Sequence, residues 1–124
     1  MNGEIYQLTK EQFRLMANPS FDQREAADLS LQILVGIYHG KVLCYIGFIP
    51  TSMLSDTAYM WAIVNEEAEA HKVVFGRHAK SVVNSALGVY SRLIGHCFSQ
   101  ASARWLRSLG ATFVTDTEFE IRRA

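Results

Sequence analysis

Few of the residue types that perform chemistry stand at spacings typical of a known reaction centre. His71 and His78 lie seven residues apart along one face of a predicted helix, but no further Cys, Asp or Glu converges on them, so no metal site is predicted. The sequence contains no Gly-x-Ser-x-Gly, no phosphate-binding Gly-Lys-Ser/Thr and no Cys/His pattern of nucleophilic catalysis. Cys44 and Cys97 stand in apolar runs and are predicted to be buried, reduced thiols.

A basic cluster near the C-terminus is the other group of residues that could bind a partner. Arg104, Arg107, Arg122 and Arg123 lie there beside Trp105, a combination that can contact nucleic acid or an acidic protein surface. The chain as a whole has 12 Lys and Arg against 12 Asp and Glu, so no global field attracts nucleic acid or an anionic membrane. We therefore predict a partner-binding surface at Arg104, Trp105 and Arg107 with a protein as the partner, the alternative being a solvated face.

Length and composition limit the architecture. A chain of 124 residues with 49% hydrophobic content is enough for one domain with a core, over residues 1–124, and too short for two. No apolar run approaches the roughly 20 residues of a membrane span. The first six residues lack the charged and apolar regions of a signal peptide. The protein is therefore expected in the cytoplasm, or wherever a cytoplasmic assembly carries it.

The first part of the chain predicts a strand and two short helices. Residues 4–8 read as a strand, and Thr9 with Gln12 forms a capping box that starts a helix ending by residue 18. Ser20 and Gln23 repeat the pattern and predict a second helix from residue 21 to about residue 29. Strands over residues 32–38 and 41–49, joined at His39-Gly40, predict an antiparallel hairpin.

The second part predicts a strand, helix, strand crossover. Residues 57–64 read as a strand buried on both faces. Apolar residues from Phe75 to Tyr90 then recur at helical spacing, which predicts a long amphipathic helix. A strand over residues 93–98 should lie parallel to the strand at residues 57–64, because such crossovers are right-handed and parallel. A helix over residues 100–109, Gly110 in a left-handed conformation and a strand over residues 112–121 complete the chain.

These elements define an α+β fold of order β-α-α-β-β-β-α-β-α-β, which resembles GNAT-type acyltransferase domains. Such domains have a central mixed β-sheet, two short N-terminal helices, a long central helix and a C-terminal helix. The resemblance is closer to the small GNAT-like proteins encoded among the structural genes of short-tailed bacteriophages, described as internal virion or core-associated proteins. It covers roughly residues 30–115 and is carried by three segments, namely residues 37–47, residues 60–64 (Met-Trp-Ala-Ile-Val) and residues 102–113 (Ser-Ala-Arg-Trp-Leu-Arg-Ser-Leu-Gly-Ala-Thr-Phe).

The resemblance implies a coenzyme A site that this chain does not reproduce in full. GNAT enzymes bind the coenzyme A pyrophosphate on a glycine-containing loop of the Gln/Arg-x-x-Gly-x-Gly/Ala kind at the start of the central helix. The matching residues 65–72 contain no glycine and carry Glu66, Glu67 and Glu69, so we expect weak coenzyme A binding or none. If the cofactor binds, the candidates to hold it are Val64, Lys72 and Arg77, of which the two cations could attract an anion.

The catalytic acid of the family is also replaced. Many GNAT enzymes carry a Tyr four residues before the glycine, where this chain has Leu106, which cannot transfer a proton. A general base would be Glu66, Glu67 or His96, although helix-capping glutamates and a hydrogen-bonded strand histidine explain the same residues. In active GNAT enzymes a gap between the two parallel strands holds the cofactor. If Trp61 and His96 filled this gap, acyltransferase activity would be excluded.

Three functions follow from the resemblance. The first is a phage virion or assembly-associated protein on a degenerate GNAT fold, which binds other phage structural or assembly proteins and needs no cofactor. The second is an N-acetyltransferase that uses acetyl-CoA on an amine. The third is an inhibitor that binds a host enzyme. The expected location is the host cytoplasm during infection, or the virion.

Overall fold

The computed structural model describes residues 3–52, 54–97 and 99–123. Its strands are β1 (Gly3–Leu8), β2 (Gln32–Tyr38), β3 (Lys41–Pro50), β4 (Thr57–Val64), β5 (Arg92–His96), β6 (Thr112–Phe113) and β7 (Glu118–Arg122). Its helices are α1 (Lys10–Ala17), α2 (Phe21–Leu29), α3 (Glu66–Ala70), α4 (Lys72–Leu87) and α5 (Gln100–Ser108). The strands form one mixed sheet in the order β1-β2-β3-β4-β5-β7-β6, with β4 and β5 as its parallel pair. The mixed α+β fold predicted from the sequence is confirmed.

Helices α1 and α2 cover one face of the first half of the sheet. Both begin at complete capping boxes, in which the Thr9 and Ser20 hydroxyls accept from the backbone N–H of Gln12 and Gln23. Phe13 of α1 is fully buried and packs against Tyr45 and Trp61 on the sheet. The two helices therefore close a small core over β2, β3 and β4.

Helices α4 and α5 cover the opposite face and bury the larger core. The buried face of α4 is the one its periodicity predicts, with His78 in addition to the apolar residues. A register shift between Gly36 and Ile37 places Leu43 and Cys44 together in this core. A Cβ at Gly36 would lie 2.6 Å from Nδ1 of His78, so this glycine allows the imidazole to approach the sheet. Cys44 and Cys97 are buried and free, as predicted.

Two predictions about the elements are wrong. The last strand, predicted as one segment over residues 112–121, is two strands, β6 and β7, which pair with each other in antiparallel fashion. The reason is a turn in which the Thr115 hydroxyl accepts from the backbone N–H of Thr117 at 3.3 Å and of Glu118 at 2.9 Å. The strand predicted over residues 93–98 is β5, which ends at His96, and Phe98 lies outside the described residues.

β4 is also not buried along its whole length. Its first half is covered, but Ala62 and Val64 are exposed on the same face as the buried Ala58 and Met60. The chain after it winds first into α3, which the sequence pattern did not predict as a separate helix. None of the helices in the described part of the chain has both the length and the apolar character that a membrane crossing requires.

Candidate functional site

The parallel strands β4 and β5 separate and form a groove. They pair only where Thr57–Tyr59 meets Arg92–Ile94. Just beyond this point, at the apex of the groove, a Cβ at Gly95 would lie 2.7 Å from the Met60 carbonyl oxygen. Further along, a cavity of about 340 Å³ opens between the strands and α5. Its walls are formed by Met60, Ala62, Val64, His96, Cys97, Ser99, Ser102, Trp105, Leu106 and Phe119.

The edge of β4 that faces this groove carries backbone groups with no strand beside them among the described residues. Asn65 donates its N–H to the Leu43 carbonyl at 2.9 Å. Because hydrogen-bonded and non-hydrogen-bonded pairs alternate along an antiparallel ladder, Ile63 and Trp61 also turn their N–H and C=O groups toward β3. The N–H and C=O groups of Ala62 and Val64 therefore point into the groove, where an extended ligand can bond to them.

Trp61 does not fill the groove. Its indole lies on the opposite face of the sheet, where Nε1 donates to the Ser30 hydroxyl at 2.7 Å and the ring packs 5.5 Å from that of Phe13. The indole also lies directly over Gly47, where a Cβ would overlap it. Of the two side chains expected to close the groove, Trp61 is held elsewhere by α1 and α2. His96 lines the groove, which still leaves a cavity of about 340 Å³.

The floor of the groove is apolar where the resemblance places a proton donor. Leu106 is 3% exposed and lines the cavity. Trp105 lines it as well, half-buried, with its ring 5.2 Å from that of Phe75. The Nε1 of Trp105 is buried and has no hydrogen-bond partner within residues 3–52, 54–97 and 99–123. The indole N–H is thus an unsatisfied donor that lies beneath the surface of the groove wall.

His96 lies at the mouth of the groove within a chain of polar side chains. Its Nδ1 is 3.1 Å from the Tyr59 hydroxyl, and its Nε2 is 4.0 Å from Oε1 of Glu118. Burial raises the pKa of Tyr59 above its ordinary value, so this group stays a neutral hydroxyl whose oxygen can accept from the ring. In the tautomer in which Nδ1–H donates to Tyr59, Nε2 carries the lone pair that can accept a proton from an amine.

A second cavity, of about 370 Å³, continues the groove toward the start of α4. It shares Val64, Ser102 and Trp105 with the first cavity. Its charged walls are Glu69, Lys72 and Arg104, with the Lys72 ammonium 3.4 Å from the Glu69 carboxylate. Two cations and one carboxylate therefore line this cavity. The three glutamates in the sequence of the segment had suggested an excess of negative charge.

In the segment between β4 and α4, backbone N–H groups form hydrogen bonds within the chain. Ala68 donates its N–H to the Asn65 carbonyl at 3.0 Å, and His71 donates to the Ala68 carbonyl at 3.2 Å. These bonds wind the segment into α3 and engage the amides of Ala68 and His71 within the chain. The segment is therefore a helical turn rather than an open loop that presents several N–H groups to a pyrophosphate.

The structure brings together only some of the residues that the sequence proposed. Val64, Lys72 and His96 line the groove or its continuation. The remaining base and cofactor candidates, Glu66, Glu67 and Arg77, are not among the residues that line these two cavities in the described part of the chain. Glu67 is turned toward Lys41 at 3.5 Å and toward His71 at 3.9 Å, whereas Glu66 is exposed.

The proposed partner surface is likewise divided. Arg104 and Arg107 are exposed on α5, while Trp105 faces the groove and the core. Tyr59 and Glu118 were missed as partners of His96. Tyr59 could have been found, because strand alternation and the predicted parallel pairing place it on the same face as the end of β5.

Comparisons with known proteins identify the fold. The chain superimposes on an IAA acetyltransferase from Bacillus cereus with a TM-score of 0.74 and 12% identity, covering 98% of this chain and 99% of the other. Against yncA from Salmonella typhimurium, solved with its cofactor acetyl-CoA, the TM-score is 0.72 and the identity 16%, over 98% and 94% of the two chains. Against a spermidine N-acetyltransferase chimera from Vibrio cholerae and hSSAT, the TM-score is 0.71 and the identity 11%, over 98% and 96%.

These likenesses show a GNAT-like N-acetyltransferase fold. The sequence matches no protein-family model, and no curated protein matches it either.

Proposed function

We propose that this chain is a GNAT-fold protein of a short-tailed bacteriophage that works by binding other proteins of the particle or of its assembly pathway, without acyl transfer. The observation that carries the non-catalytic part is Leu106, buried on the floor of the groove where the resemblance places the acid that protonates the departing thiolate. A leucine side chain has no proton to give, so the leaving group would depart unassisted. The phage origin rests on the resemblance carried by residues 37–47, 60–64 and 102–113.

The backbone after β4 supports the same conclusion. A pyrophosphate site needs several N–H groups that converge on one point, and glycines that let the backbone approach it. Here Ala68 and His71 donate within the chain, and residues 65–72 contain no glycine. Lys72 is engaged by Glu69 at 3.4 Å, which reduces the charge it can offer to a phosphate. These features support the proposal that the segment binds a coenzyme A pyrophosphate weakly or not at all.

The test compares coenzyme A binding and acetyl transfer in three proteins. The natural chain is expected to give no micromolar affinity for acetyl-CoA in isothermal titration and no transfer to spermidine or to peptide amines. Leu106→Tyr restores a hydroxyl at the groove floor, and Leu106→Phe is its matched control, with the same ring and no proton. Transfer by the natural chain would refute the proposal. Transfer by Leu106→Tyr but not by Leu106→Phe would support it, because the missing hydroxyl would then explain why the natural chain is inactive.

An N-acetyltransferase is the second candidate, and the open groove favours it. In this mechanism the backbone of Ala62 and Val64 would bind the amides of the pantetheine arm, as it would bind an added strand. His96 would accept the proton of the attacking amine at Nε2, while its Nδ1–H donates to the Tyr59 hydroxyl and fixes the ring. One neighbour in structure contains acetyl-CoA, which makes this the cofactor to test.

The two candidates predict opposite results in an infected cell. Phage carrying His96→Gln is expected to assemble normally if the protein acts by binding, because the exposed imidazole supports neither core. If the protein is an enzyme, the same variant abolishes its contribution to phage yield. Phage that does not produce this protein is the control, because its yield shows the effect of losing the protein's function completely.

A further inference from the structure

A wide cleft lies next to the groove at the start of α5 and shares Cys97 and Ser99 with it. It measures about 670 Å³ and opens between α5 and the turn that joins β6 to β7. Arg104 and Arg107 line it from the helix, and Asp116 and Thr117 line it from the turn. Neither of the candidate functions above uses this cleft.

The two arginines in the cleft are available to a ligand. They stand three residues apart and so lie on the same side of the helix. Within the described residues neither guanidinium has a carboxylate within 4.0 Å, whereas Arg14 and Arg92 each form an ion pair, the former with Asp28 at 2.5 Å. Helix α5 contains no acidic residue that would compete for them.

One of the arginines is also held in position. The guanidinium carbon of Arg107 lies 4.9 Å from the centre of the Phe113 ring, a cation–π contact. A side chain held in this way loses less conformational entropy when a carboxylate binds to it. Asp116, exposed on the opposite wall, is an acceptor without a partner among the described residues.

We propose that this cleft binds an acidic segment of a partner protein. Arg104 and Arg107 each take a carboxylate of the segment, because the planar guanidinium matches a carboxylate with two parallel hydrogen bonds. Asp116 accepts a backbone N–H of the same segment. A peptide supplies both kinds of group, whereas a phosphate or a nucleic acid backbone brings negative charge toward Asp116 and offers it no donor. The assignment of a protein partner rests on the proposed function.

The experiment measures fluorescence anisotropy of a labelled hexaglutamate peptide with the full chain. We expect binding that weakens as salt is raised, and no binding of hexaglutamine. Arg104→Gln and Arg107→Gln should each weaken the affinity about tenfold, as the loss of one charged hydrogen-bonded pair implies. Arg24→Gln is the matched control, because Arg24 is equally exposed, lies on α2 and has no ion pair among the described residues. It should change the affinity less than twofold.

Three results would overturn the proposal: equal binding of hexaglutamine, equal weakening by Arg24→Gln, or displacement of the peptide by inorganic phosphate at equal charge concentration. Thermal melting of each variant verifies that it is folded. Failure of the cleft is distinguishable from failure of the proposed function. If the peptide does not bind while Arg104→Glu still reduces incorporation into particles, the occupant is wrong and protein binding stands. If the chain transfers acetyl groups, the proposed function fails whatever the peptide does.

Discussion

The apex of the groove gives the sharpest test of the structure, through the substitution Gly95→Ala. The added Cβ would lie 2.7 Å from the Met60 carbonyl oxygen and 2.7 Å from the ring of Phe119. One of these atoms belongs to the backbone, so relief requires β4 and β5 to move apart. Such overpacking costs about 1–3 kcal/mol. The alanine also restricts the unfolded chain, which offsets about 0.4–1 kcal/mol.

The midpoints of these two ranges give a net loss of about 1.3 kcal/mol for Gly95→Ala, or about 4–6 °C in Tm. Gly76→Ala is the matched control, because Gly76 lies within α4 and a Cβ there would meet nothing within 4 Å. It should stabilise the protein by about 0.5–1 kcal/mol, as alanine favours a helix over glycine. Differential scanning calorimetry of both variants measures whether the Tm falls for Gly95→Ala and rises for Gly76→Ala. A Gly95→Ala protein as stable as the natural chain would show that the two strands do not approach closely at this point.

Three further substitutions or treatments test other parts of the fold. Gly110 has a φ of +95°, so Gly110→Val should cost about 1–3 kcal/mol, and an unchanged Tm would show that α5 ends differently. Burial raises the pKa of the Cys44 thiol to about 11, so iodoacetamide at pH 8 should alkylate it far more slowly in the folded than in the denatured protein, as mass spectrometry can follow. Hydrogen bonds from Arg122, and then from Arg92, hold the pKa of Glu120 below its ordinary value of 4.5. A carboxylate whose pKa is lower in the folded than in the unfolded protein stabilises the fold at pH values above its unfolded pKa. Glu120→Gln should therefore lower the Tm at pH 7, and the difference in Tm from the natural chain should narrow as the pH falls below 4.5. A difference that widened on acidification would contradict this.

The sequence predicts elements well where one local rule determines them. The helices α1 and α2 begin at the two capping boxes, whose signal lies within four residues. The hairpin turn is where His39 and Gly40 predict it, with φ values of 51° and 75°. Gly110 adopts its positive φ as expected. Each of these features depends on backbone conformation at one or two positions.

Features that depend on contacts between distant segments escape the same reasoning. The turn at Thr115 interrupts an otherwise β-compatible run, and only the pairing of β6 with β7 makes that interruption favourable. The exposure of Ala62 and Val64 follows from the divergence of β5, which has no signature in the residues of β4 themselves. The resemblance suggested where a groove should lie. That Trp61 leaves the groove unfilled follows from the packing of its indole over Gly47, which the residues of β4 do not reveal by themselves.

The sheet separates two cores of unequal size, and this division has a consequence for dynamics. The smaller core is closed by α1 and α2, two helices of 8 and 9 residues, while the larger is closed by the 16-residue α4 together with α5. A layer with few buried apolar contacts opens locally at a lower free energy than global unfolding. The amide protons of α1 and α2 should therefore exchange with solvent before those of α4. The two tryptophans divide between the layers, so the emission of Trp61 reports the opening of one and that of Trp105 reports the other.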